Sequence, residues 1–122
     1  MLDRCTYIIY GFDYNNNVGG NLALHSLAEN LALLGEEVYI TCKKIRKYSL
    51  VKTLDPYKDI WSMHSKENTI VIYPEIIFDN PLGAKNVCRW LLNDPDAFKN
   101  FSNYEPEGTF FKFCNSFNYK KL

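Results

Sequence analysis

The 122-residue chain has no surplus of charge: fourteen Asp and Glu balance fourteen Lys and Arg. Electrostatic binding of nucleic acid needs a concentrated basic surface, so no nucleic-acid partner is expected. The only basic run, Lys43-Lys44-Ile45-Arg46-Lys47, reads as a solvated loop. There is also no uninterrupted apolar stretch of about 18 residues, which excludes a membrane-spanning helix. The first residues, Met1 to Thr6, lack the basic-then-apolar order of a signal peptide. The four cysteines stand at 5, 42, 88 and 114, too far apart for a CxxC zinc or redox motif. Set in apolar segments, they behave as small hydrophobes, and a reduced, cytoplasmic protein is the expectation. His, Cys, Asp and Glu nowhere fall at metal-ligand spacing. Internal repeats and low-complexity tracts are missing too.

What is present is an ordinary globular composition, with 47% apolar and 23% charged residues. The length suits one domain, 1–122, with a modest core. Thr6-Tyr-Ile-Ile-Tyr10 is a β-branched and aromatic run ended by Gly11, and reads as a buried strand. Asp13 to Gly20 is turn chemistry, rich in asparagine and glycine. A helix follows from about Asn21 to Leu34, with Leu24, Leu27, Ala28, Leu31 and Leu34 on one buried face and Gly35 as its C-terminal stop. Val38 to Cys42 reads as the next strand, which completes a parallel βαβ unit. Residues 43–68 give little signal beyond a turn at Asp55-Pro56. Thr69 to Tyr73 is uninterruptedly apolar, like a parallel strand covered on both faces, and Pro74 ends it. The spacing of Ala84, Val87, Cys88 and Leu91 predicts a second long helix opening near Asn80-Pro81 and stopping at Asn93-Asp94-Pro95. Thr109 to Cys114 reads as a fourth strand, and 115–122 as a frayed tail. The fold class expected is α/β, a Rossmann-like three-layer domain with a mainly parallel sheet of about four strands.

In such sheets ligands bind where strands end and helices begin. Two junctions qualify: Tyr10-Gly11-Phe12-Asp13 through Gly19-Gly20-Asn21, and Tyr73-Pro74-Glu75 through Asp79-Asn80. Gly19 and Gly20 would let a ligand reach the free amides of a helix start, or simply form a tight turn. They match neither the GxGxxG fingerprint nor a P-loop. His25, one turn into the helix, is either a packed or surface residue or a base close to a ligand. Glu75, past the strand-ending proline, could recognise hydroxyls or act as a base if burial raises its pKa. Its alternatives are a solvated or amide-capping carboxylate. Asn80 could bind a ligand or cap the second helix. Arg89 could reach a phosphate, though a solvated helix face is the simpler reading. His64 is given no role.

Two blocks carry a resemblance. Gly19-Gly20, His25, Leu27-Ala28-Glu29-Asn30-Leu31 and Leu34-Gly35-Glu36-Glu37-Val38-Tyr39 resemble the first βαβ unit of GT-B glycosyltransferases. Tyr73-Pro-Glu-Ile76 and Asn80-Pro-Leu-Gly-Ala-Lys-Asn-Val-Cys-Arg-Trp-Leu-Leu-Asn93 are similar to a block in a bacterial, polysaccharide-type subset of them. The resemblance covers most of residues 6–95 and implies the N-terminal, acceptor-side domain of a two-domain transferase. On that reading Gly19 and Gly20 line the cleft near the donor diphosphate, His25, Glu75 and Asn80 lie on the acceptor side, and Asn21 is a further substrate-binding residue. No cofactor or metal is implied beyond a nucleotide sugar as co-substrate. The partners implied are a sugar or glycan acceptor and a separate donor-binding domain or chain, without which this half should be inactive. The catalytic base stays unassigned. A stand-alone flavodoxin-like or nucleotide-binding module, or an interaction protein, is the alternative.

Overall fold

Thr6–Ile9 (β1) lies near the middle of the sheet and is flanked on both sides by parallel partners. The structure is a computed structural model that describes residues 5–91 and the strand at 109–112. The other strands are Glu37–Ile40 (β2), Lys52–Thr53 (β3), Thr69–Pro74 (β4), Asn86–Leu91 (β5) and Thr109–Lys112 (β6). They form one six-stranded sheet in the order β3-β2-β1-β4-β5-β6, with every neighbouring pair parallel. This is the strand order of the doubly wound dinucleotide-binding folds. The fold is therefore α/β and Rossmann-like with a parallel sheet, as the sequence predicts, but with six strands rather than about four.

Strand periodicity divides the core into two layers. Ile9, Val38, Ile40 and Ile72 face the single described α-helix, Gly19–Leu33 (α1), and meet Leu24 and Ala28. Ile8, Val71, Tyr73 and Val87 face the other way. That second face is covered, among the described residues, by irregular chain rather than by helix. Ile60 and Trp61, in a 3₁₀ turn at Ile60–Ser62, pack there together with Ala84 and Leu82. The Trp61 indole N–H donates to the Leu82 carbonyl at 2.6 Å and joins the two covering segments.

Helix α1 starts two residues before the expected Asn21 and ends as expected. Gly35, at φ 88°, donates to the Ala32 carbonyl and Glu36 N–H to the Leu31 carbonyl, each at 3.0 Å. These two bonds are a Schellman cap. Leu34, expected on the buried face, lies instead at the cap and is 76% exposed.

The second long helix is not formed. Residues 75–85 are an irregular crossover and Asn86–Leu91 is β5, paired along β4 from Ile70↔Asn86 to Pro74↔Trp90. The i, i+3, i+4, i+7 spacing of Ala84, Val87, Cys88 and Leu91 is also met by a strand whose two faces are both covered. Such strands carry near-continuous apolar runs, and periodicity alone cannot separate them from a helix. Asp79 at φ 59° and Gly83 at φ 65° break any helical path. The expected stop at Asn93-Asp94-Pro95, the end of the last strand at Cys114 and the tail at 115–122 lie outside the described residues.

This change of element also reverses the reading of Arg89. It is fully buried instead of lying on a solvated helix face. The guanidinium donates to the Ile77 carbonyl at 2.7 Å and to the Asp79 carbonyl, and its carbon stands 4.8 Å from the Tyr73 ring centroid. Asn80 caps no helix. Its Oδ1 accepts from the Tyr73 hydroxyl at 2.7 Å and from Ala84 N–H at 2.9 Å, and its Nδ2 donates to the Ala84 carbonyl at 2.7 Å. Hydrogen bonds from a charged donor contribute about 1.5–3 kcal/mol each. Arg89→Met should therefore lower unfolding stability by about 3 kcal/mol, read from the urea midpoint. An unchanged midpoint would show that the carbonyl cage contributes nothing.

Candidate functional site

Every strand ends at the same edge of a parallel sheet, so the loops after β1, β2 and β3 converge. Between them lies a cleft of about 760 Å³. Tyr10, Phe12 and Asp13 line it from the β1 loop, Thr41, Cys42 and Lys43 from the β2 loop, and Thr53, Asp55 and Tyr57 from β3 and the chain after it. The strand order reverses between β1 and β4, and crevices at such switch points are where open α/β sheets bind ligands. Tyr10 and Gly11 stand at that point and belong to the cleft wall.

The wall is held by backbone amides and short polar side chains. The Thr41 hydroxyl accepts from Gly11 N–H at 3.0 Å and donates to the Gly11 carbonyl at 3.1 Å. Gly11 allows this approach, because a Cβ there would sit 2.7 Å from Ile40 Cδ1. Asp13 Oδ1 accepts from Lys43 N–H at 2.7 Å and Lys44 N–H at 3.1 Å, clasping the β1 and β2 loops together. Those two amide bonds, Lys43 first, hold the Asp13 carboxyl below its ordinary value of 3.8. Burial pushes the Cys42 thiol up to about 11, which leaves little thiolate at neutral pH.

Asn21 and His25 are brought together, one turn apart on α1, and both are buried. Asn21 Oδ1 accepts from Phe12 N–H at 3.3 Å and its Nδ2 donates to the Asp13 carbonyl at 2.7 Å. His25 Nε2 lies 2.7 Å from the Phe12 carbonyl, and its ring meets Tyr14 edge-on at 5.4 Å. A carbonyl only accepts, so His25 donates from Nε2, and that nitrogen cannot also serve as a base. The pair brackets the β1–α1 loop from behind.

Gly19 and Gly20 form the exposed first turn of α1. Val18 occupies the N-cap position with no side-chain bond, and a Cβ on Gly19 would meet nothing within 4 Å. Glu75 is buried just beyond β4, and Asn80 is engaged with Tyr73 and Ala84. None of Gly19, Gly20, Asn21, His25, Glu75 and Asn80 lines the cleft. The residues that do include Thr53, Asp55 and Tyr57, which sequence reasoning missed. β3 is only two residues long, Lys52–Thr53, and gives no periodic signal. The Asp55-Pro56 turn was its one visible marker. Among the described residues no group of three or more His, Cys, Asp or Glu is placed to hold a metal ion.

The cleft offers aromatic faces from Phe12 and Tyr57, hydroxyls from Thr41 and Thr53, and carboxylates from Asp13 and Asp55. Asp55 Oδ1 accepts from Tyr57 N–H at 2.9 Å, which fixes the turn carrying the ring. A carboxylate has about four lone-pair sites, so both acids can also accept from ligand hydroxyls.

Because folding lowers the Asp13 pKa, its clasp is complete above the unfolded value and is lost as pH falls through the folded one. Amide exchange at Lys43 and Lys44 should accelerate below pH 3.8, beyond the intrinsic pH trend and before global unfolding. In Asp13→Asn the excess should be independent of pH. An identical pH profile in both proteins would rule out the clasp. Comparison with protein-family models, curated proteins and solved structures finds no match for this chain.

Proposed function

We propose that the chain is the acceptor-side, Rossmann-like half of a GT-B-type sugar transferase in polysaccharide or glycan biosynthesis. The acceptor sugar sits in the cleft at the ends of β1, β2 and β3. A nucleotide sugar is the co-substrate, held by a separate donor-binding domain or chain. The observation that carries this reading is the pairing of exposed aromatic faces with carboxylates in one cleft. Phe12 is 44% and Tyr57 96% exposed, and both line the cavity with Asp13 and Asp55. Ring faces suit the C–H faces of a sugar, and carboxylates accept from its hydroxyls.

One further feature supports it. The carboxyl edge exposes Phe12, Val18, Ile76 and Phe78, an apolar rim of the kind a facing domain would cover. Strand order does not separate this reading from a flavodoxin-like module, because without the two-residue β3 the other five strands follow the 2-1-3-4-5 order. Transfer depends on holding donor and acceptor in register, so this half acting alone should bind without turning over.

Saturation-transfer NMR of the chain with a panel of mono- and oligosaccharides tests the reading. Sugar protons should receive saturation, and Tyr57→Ala should weaken the binding about tenfold, equivalent to about 1.4 kcal/mol. Absence of saccharide binding together with capture of a dinucleotide would replace the transferase with a nucleotide-binding module.

A further inference from the structure

A second surface lies where the C-terminal half of α1 meets the β2–β3 crossover. Glu29, Leu33, Arg46, Lys47, Tyr48 and Leu50 surround a depression of about 220 Å³ there. Its apolar members are unusually bare: Leu33 is 72% exposed, Tyr48 88% and Leu50 68%, and Leu34 beside them is 76% exposed. Single exposed hydrophobes are common on soluble proteins, but a shared apolar rim marks an interaction site. Tyr48 also sits at φ 65°, a left-handed conformation uncommon for a bulky residue, at the turn closed by Ser49 N–H on the Arg46 carbonyl.

The crossover on one side of this rim is basic, while Glu29, Glu36 and Glu37 lie on the helix side. From Val38 to Leu54 the chain carries Lys43, Lys44, Arg46, Lys47 and Lys52 and no acid, although it is neutral overall. Glu29 is the acid at the depression, and Arg46 answers it at 3.4 Å. Lys47 lies over the Tyr48 ring, 5.2 Å from its centroid, so cation and aromatic share one tip.

We propose that this surface docks onto an anionic lipid bilayer. Leu33, Leu34, Tyr48 and Leu50 enter the interfacial region, while Arg46 and Lys47, with Lys44 just before them on the crossover, meet the headgroups. Combined apolar and basic exposure is what interfacial binding requires, because neither contribution alone holds a protein firmly. A nucleic-acid backbone would use the cations but leave the leucines in water. A second copy of the same face would bring like charges together. The contact is peripheral, which agrees with the lack of any described helix long and apolar enough to span a bilayer. It does not rest on the transferase reading.

Vesicle flotation of the whole chain tests this, using phosphatidylcholine vesicles with and without phosphatidylglycerol. The protein should float only with the anionic vesicles and be released by high salt. Lys47→Gln should cut partitioning about fivefold, and Lys44→Gln with Lys47→Gln about thirtyfold. Leu33→Ser with Leu34→Ser should abolish flotation while circular dichroism shows an unchanged fold. Failure to float with anionic vesicles overturns the proposal. So does flotation that these variants leave unchanged, or a variant-sensitive complex with an acidic protein in its place. Saccharide binding by a protein that does not float would leave the proposed function intact while removing this one.

Discussion

The buried guanidinium of Arg89 is the constraint on which the second half of the sheet depends. A parallel connection normally takes a helix, because the helix satisfies its own backbone while it crosses the sheet face. The crossover from β4 to β5 has no helix, so its carbonyls need donors from elsewhere. Arg89 supplies them to Ile77 and Asp79, and Asn80 with the Tyr73 hydroxyl serves the remainder of the turn. A charge taken out of water is tolerated only when it is well bonded, and two carbonyls of the loop accept from this one. The contact also reaches toward the cleft. Arg89 stacks on Tyr73, whose ring lies 5.4 Å from Tyr10, and Tyr10 meets Phe12 edge-on at 6.3 Å.

On the other side of the switch point the same logic uses neutral groups. The buried stripe of α1 contains Asn21, Leu24, His25 and Ala28. Two of these four are polar because the loop behind which they lie presents Phe12 and Asp13 backbone groups to them. Asp13 then reaches forward to the β2 loop. The β1 loop is thus gripped from behind by α1 and from the side by its own carboxylate clasp. A cleft whose walls are fixed in this way loses little conformational freedom when a ligand enters it.

Much of the frame was readable from residue order. β1 and β4 are apolar, β-branched runs ended by Gly11 and Pro74, and α1 carries a local stop signal in its Gly35 cap. The same cues predicted a helix at 80–93, where the chain instead makes β5. Val87 and Arg89 alternate with the partly buried Asn86, Cys88 and Trp90, but apolar residues on both faces of the strand hide that alternation. Gly83 was the local sign against a helix, since a positive φ within the first turn breaks it. Of the candidate site, the Tyr10-to-Asp13 junction was legible, because carboxyl-end loops of parallel strands are general ligand positions. Asp55 and Tyr57 were not, since a two-residue strand brings them there.

The sequence by itself determined the α/β class, the first βαβ unit and the C-terminal end of its helix, because those rest on local periodicity, the Gly35 cap and turn residues. Tertiary structure decided the six-strand order, the identity of β5, the roles of Asn21 and His25, and the burial of Arg89. Each of these depends on partners far away in the chain: a carbonyl, a neighbouring strand or a covering loop. Residue type states what a side chain can bond to, and only the fold states which bond is within reach.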